Sequence, residues 1–67
     1  MTKVKLLNDN GYCGFEGVKF PLIVKAEECG RGCLVEGIEF IKLDIYEPCR
    51  ADELLYFNPN SFEVIHD

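Results

Sequence analysis

Apolar and polar residues alternate along two stretches of the chain with the two-residue period of a half-buried strand. The first, Val4-Lys5-Leu6-Leu7, is halted by Asn8-Asp9-Asn10-Gly11, a cluster of residues that tolerate the left-handed conformations of tight turns. The second runs from Val18 to Glu28, with Val18, Phe20, Leu22, Val24 and Ala26 on one face and Lys19, Lys25 and Glu27 on the other. Pro21 has no amide to donate, so this stretch is expected at a sheet edge or a bulge. Ile23 interrupts the polar face and predicts burial on both sides there. Between the two strands, Tyr12 to Gly17 reads as a long structured loop. Cys29-Gly30-Arg31-Gly32-Cys33 marks a reversal.

Further on, Cys33-Leu34-Val35 and Ile38-Glu39-Phe40-Ile41 read as two arms of a tight hairpin around Glu36-Gly37, with Gly37 supplying a positive φ and Lys42 to Ile45 prolonging the second arm. Pro48 interrupts. Arg50 to Phe57 then reads as one short helical turn or an irregular crossing, with Asp52 as its N-cap. Asn58-Pro59-Asn60-Ser61 is a turn, and Phe62 to Ile65 a last short strand.

Short strands, glycine-rich reversals and no amphipathic helix predict an all-β fold. We expect a small five-stranded barrel spanning 1–67 as one domain, with room for one short helical turn before the last strand. Closure shields strand edges, and would pair Val4–Leu7 with Phe62–Ile65 and bring the chain ends together. A long loop after strand one, a central hairpin and a turn before a short returning strand follow the order of an SH3-like barrel, which the chain resembles. Gly17-Val18-Lys19-Phe20-Pro21, Val35-Glu36-Gly37 and Tyr56-Phe57-Asn58 through Glu63-Val64-Ile65 also resemble short barrel proteins often carried by bacteriophages. Polyproline binding, as in signalling SH3 domains, does not carry over: the chain has no Trp and no Ala-Leu-Tyr-Asp-Tyr-type cluster to build the aromatic groove.

Charge narrows the partners. Twelve acids against seven bases give a net charge of −5, and the basic residues Lys3, Lys5, Lys19, Lys25, Arg31, Lys42 and Arg50 are scattered singly. This balance disfavours phosphate backbones and anionic membranes and favours a basic partner surface. No apolar run approaches the ~20 residues needed to span a bilayer. Met1-Thr2-Lys3 leads directly into alternation and not into the apolar stretch of a signal peptide, so a cytoplasmic location is expected. There the four cysteines would be thiols or metal ligands.

Candidate chemistry is sparse. Cys13, Cys29, Cys33 and Cys49 are spaced C-x15-C-x3-C-x15-C, and convergence of the outer two on the central pair would make a zinc site. A Cys29–Cys33 disulfide and four free thiols packed as small apolar residues are the alternatives. His66 is penultimate, a poor position for a general base. Ser61 and Thr2 are the sole hydroxyl residues besides tyrosine, and neither lies in a Gly-x-Ser-x-Gly elbow. Glu27 and Glu28 would point to opposite faces of a strand, so they form no acid dyad. No enzyme activity is expected.

The acids carry the remaining expectation. Glu27, Glu28, Glu36 and Glu39, followed by Asp44 and Glu47, would gather at one end of the barrel as a negative patch, with Tyr12, Tyr46 or Tyr56 as anchors. The chain thus reads as an acidic module, monomeric or a small homo-oligomer, that binds a basic surface of another protein without a cofactor. A phage-encoded modulator or inhibitor of a host protein would fit. The alternative is a zinc-stapled mini-domain held by the four cysteines.

Overall fold

The computed structural model describes residues 2–45 and 50–66. Strands β1 (Thr2–Leu6), β2 (Leu22–Cys29), β3 (Gly32–Glu36), β4 (Leu54–Phe57) and β5 (Phe62–Val64) form one antiparallel sheet in the order β4-β3-β2-β1-β5, with a short helix α1 (Gly37–Ile41) between β3 and β4. The all-β class is as expected. Strands β4 and β5 are the outer members, and no ladder joins them among the described residues, so the sheet is open.

The eight-residue β2 organises the molecule. Its first part, Leu22 to Ala26, pairs with β1, and its end, Glu27 to Cys29, pairs with β3. One strand therefore belongs to two three-stranded halves. Val4, Leu6, Val24 and Ala26 from one half meet Cys33, Val35, Leu55 and Phe57 from the other in a single buried core. Phe15, Phe40 and Phe57 fill its centre, Phe15 meeting the other two edge to face with ring centroids 5.1 Å apart for Phe15–Phe40 and 6.4 Å for Phe15–Phe57. The first and last strands pair as predicted, Val4 opposite Val64 and Leu6 opposite Phe62.

Two expected features are replaced. The tight hairpin at Glu36-Gly37 is absent: the chain leaves β3 directly into α1, and the β-hairpin is the one at Gly30-Arg31, where Gly30 takes a φ of +61° and Cys29 faces Gly32 across the ladder. Gly37 serves close approach and not a turn, since a Cβ there would fall on the carbonyl oxygen of Arg50. That approach lets the turn at 50–53 cap the helix. The amides of Gly37 and Ile38 donate to the carbonyls of Glu53 (2.7 Å) and Ala51 (3.3 Å), satisfying donors that a helix start leaves unpaired. At the other end Asp44 takes a φ of +63°, and the amides of Asp44 and Ile45 return to Ile41 and Phe40, a Schellman closure.

The second replacement concerns residues 50 to 57. No helical turn forms immediately before the last strand; 50–53 is a non-helical turn, and Leu54–Phe57 is β4, because alternating Leu55 and Phe57 reach the core against β3. Residues 18–21, expected as strand, precede β2, with a cis bond between Phe20 and Pro21; the ladder starts only after the residue that lacks a donor. The loop at 12–17 contains a single 3₁₀ turn, Cys13–Phe15, that inserts Phe15 into the core. Contrary to the expected burial on both sides at this point, Ile23 is 49 % exposed, because the core lies on the opposite face of β2.

Candidate functional site

Strands β3 and β4 are apolar at almost every position, so a two-residue period must leave apolar side chains on both faces. Cys33, Val35, Leu55 and Phe57 turn inward. Leu34, Leu54 and Tyr56 turn outward, with Leu54 57 % and Tyr56 41 % exposed. The register places Leu34 between Glu27 on β2 and Tyr56 on β4, and Glu36 opposite Leu54. Directly opposed residues have Cβ atoms about 5 Å apart, so these five side chains form one continuous surface.

Tyr56 is held from two directions. Its ring lies over Gly32, where a Cβ would collide with ring carbons and the hydroxyl. Its main chain is bound by the loop that follows β1. The Tyr56 amide donates to the Tyr12 hydroxyl (3.1 Å), and its carbonyl accepts from that hydroxyl (2.8 Å) and from Asn10 Nδ2 (3.0 Å). Asn10, with a φ of +55°, is the hub: its Oδ1 accepts from the Ser61 hydroxyl (3.1 Å), the Asn58 amide (3.3 Å) and Asn58 Nδ2. The outer edge of β4 is thus occupied by side chains at Tyr56, where a ladder to β5 would otherwise be needed.

The four predicted acids do not act together. Glu27 and Glu36 border the outward apolar strip. Glu28 lies on the other side of β2, opposite Cys33 in register. Glu39 is engaged internally, its side chain only 14 % exposed. Its carboxylate accepts from the Lys25 amide (2.9 Å), at the point where β2 parts from β3, and pairs with Lys42 Nζ (3.2 Å). Burial pushes the Glu39 carboxyl up, but the Lys25 amide, the Lys42 hydrogen bond and the charges of Lys42 and Lys25 outweigh it and hold the group below its ordinary range. Asp44 ends α1 on the exposed surface; Tyr46 and Glu47 lie outside the described residues.

A second charged surface was missed in the sequence. Lys3 sits directly opposite Lys25 across β1 and β2, with Lys5 two positions along, so lysines that look solitary in sequence share the outer face of the β1–β2 half. The spacing of Lys3 and Lys5 on one strand is the signal that reveals half of it.

The cysteines are placed apart by the hairpin register. Cys29 is exposed on the outer face opposite Gly32, whereas Cys33 is buried on the inner face, its thiol pushed up to about 11 by burial. Cys13 is exposed on the 3₁₀ turn, and Cys49 lies outside the described residues. Among the described residues no three His, Cys, Asp or Glu side chains converge as a ligand set. Ser61 is buried and hydrogen-bonded to Asn10 and Asn58, while His66 is exposed beyond β5. An open hollow lined by Arg50, Asp52 and Glu53 holds an Arg50–Asp52 ion pair of 3.6 Å.

No helix among the described residues is long and apolar enough to cross a membrane. Compared with protein-family models, with curated proteins and with solved structures, the chain matches none.

Proposed function

We propose that this chain is a non-enzymatic interaction module, an SH3-like barrel in outline, that docks the outer face of β2, β3 and β4 on a basic surface of another protein. The observation that carries the reading is the outward strip of half-buried Leu34 with exposed Leu54 and Tyr56, bordered by Glu27 and Glu36. The strand order and the sharing of β2 between two halves favour the barrel outline. Association would be steered by the net charge of −5 and would weaken as salt screens it. A phage-borne modulator of a host protein, acting in the cytoplasm, fits such a module. Lys25 shares the outward side of β2 with Glu27, two positions away, so the lysines of the β1–β2 half border the docking face and do not lie within it.

The test is capture of partners from the native host by the wild type and by a Glu27→Lys, Glu36→Lys double variant. A control carrying Glu16→Lys and Glu63→Lys makes the same charge change elsewhere. Glu39 is left intact because it binds the Lys25 amide. Partners retained by the control and lost by the Glu27/Glu36 variant support the reading; equal capture by both variants refutes it.

A further inference from the structure

We infer that the partner segment received on this face is an extended, apolar stretch carrying arginine, whose guanidinium stacks on the Tyr56 ring and pairs with Glu27. The inference rests on the docking reading above and adds the chemistry of the occupant.

Three observations lead to it. The Tyr56 ring is preorganised: Tyr12 and Asn10 hold its main chain, and the ring lies across Gly32, so little side-chain freedom remains to be lost on binding. An exposed, fixed aromatic ring attracts a cation through its negative face. The ring reaches over Gly32 of β3, whose partner on β2 is Cys29, and Glu27 lies two positions along β2 on the same outward side, about 7 Å further along the strand. A guanidinium stacked on the ring is thus within reach of the extended Glu27 side chain. Leu34 and Leu54 supply apolar floor on the same face, and Glu36 sits opposite Leu54 for a second basic residue.

Arginine fits this better than lysine. Its planar guanidinium stacks on a ring while its edge still pairs with a carboxylate, and it gives up hydration more easily than an ammonium. A second copy of this chain would present Lys3, Lys5 and Lys25 around the exposed Ile23, a lysine surface, so the chemistry favours a different protein. Strand addition alongside β4 is obstructed at Tyr56, whose outward amide and carbonyl are already bonded, so recognition runs through the face and not the edge.

The probe is a capped octapeptide of alternating Arg and Leu, compared with its Lys/Leu and citrulline/Leu counterparts by amide chemical-shift titration at low salt. The expected result is tightest binding of the Arg peptide, with shifts at Glu27, Leu34, Glu36, Leu54 and Tyr56. Tyr56→Leu should weaken it roughly two- to fivefold. That variant keeps the hydrogen bonds of Asn10 and Tyr12, which engage only the main chain of residue 56. Glu27→Gln, which leaves the ring in place, should weaken the Arg peptide by a similar factor. Binding of basic peptides that maps to this face but is unchanged by Tyr56→Leu and Glu27→Gln overturns this inference and leaves acidic docking standing, whereas binding that maps elsewhere overturns both. Binding of neither basic peptide overturns both. Dimerisation of the free protein through this face, with shifts at Lys3, Lys5 and Lys25, overturns the inference in favour of a second copy.

Discussion

Replacing Asn10 tests whether side chains hold the two outer strands together. Asn10→Ala removes the donor to the Tyr56 carbonyl and the acceptor for Ser61, the Asn58 amide and Asn58 Nδ2, in a region where Ser61 is only 3 % exposed. With several bonds lost at about 0.5–1.5 kcal/mol each, and some replaced by water at the exposed side, the loss is about 2 kcal/mol. Alanine must also take the φ of +55° that Asn10 adopts, which adds about 1 kcal/mol. The expected total of about 3 kcal/mol lowers the melting temperature of a domain this size by roughly 12–24 °C. Asn10→Gly separates the terms: it accepts the backbone conformation and loses only the bonds, so it should cost about 2 kcal/mol. Urea unfolding followed by circular dichroism measures both variants, and amide exchange at Tyr56 and Asn58 should quicken in each. If Asn10→Gly unfolds within about 0.5 kcal/mol of wild type, the hub holds nothing and the reasoning fails.

Other consequences are equally direct. Gly37→Ala places a methyl on the Arg50 carbonyl, so the 50–53 turn must detach from α1; a loss of about 2 kcal/mol or more is expected in the same urea assay, and an unchanged midpoint would contradict the packing. The Glu39 carboxyl is held below its unfolded value, so the unfolded chain binds more protons between the two values. Its stabilisation is therefore present above the unfolded value of 4.5 and fades as pH falls through the lower folded one. Melting curves from pH 3 to 6 should show this dependence reduced in Glu39→Gln, and identical profiles would refute it. Exposed Cys13 and Cys29 should react with a thiol reagent at pH 8 within the time that buried Cys33 stays unlabelled; mass mapping that finds Cys33 modified as fast as Cys29 would place it wrongly.

Much of this was readable from residue order where burial on one side dictated the pattern. Val24 and Ala26 inward with Lys25 and Glu27 outward, the reversal at Gly30 and the return of the last strand to the first all follow from alternation and turn chemistry. The segment from Ile38 to Ile41 was misread because its apolar residues suit either period over so few positions. The decision was made by capping groups from 50–53, which lie too far along the chain for local pattern to register. Gly37 deceived for a related reason: its missing Cβ is needed by a distant carbonyl and not by a turn. At the candidate site, Glu27 and Glu36 were legible as acids on strand ends. Their setting was not, because the partnership with Leu34, Leu54 and Tyr56 is created by register between strands. Glu39 looked like its neighbours and differs only because β2 leaves an amide beside it.

The passage of β2 from one half to the other between Ala26 and Glu27 has a consequence for how the molecule comes apart. Without β2 each half is only a two-stranded pair, β1 with β5 or β3 with β4, and such a pair has little stability of its own. Fraying that loosens β1 removes the support on which the β3 hairpin is built, and the reverse holds equally. Heating should therefore yield one sharp all-or-none transition, with the slowest-exchanging amides clustered at the middle of β2 and no half-melted species between.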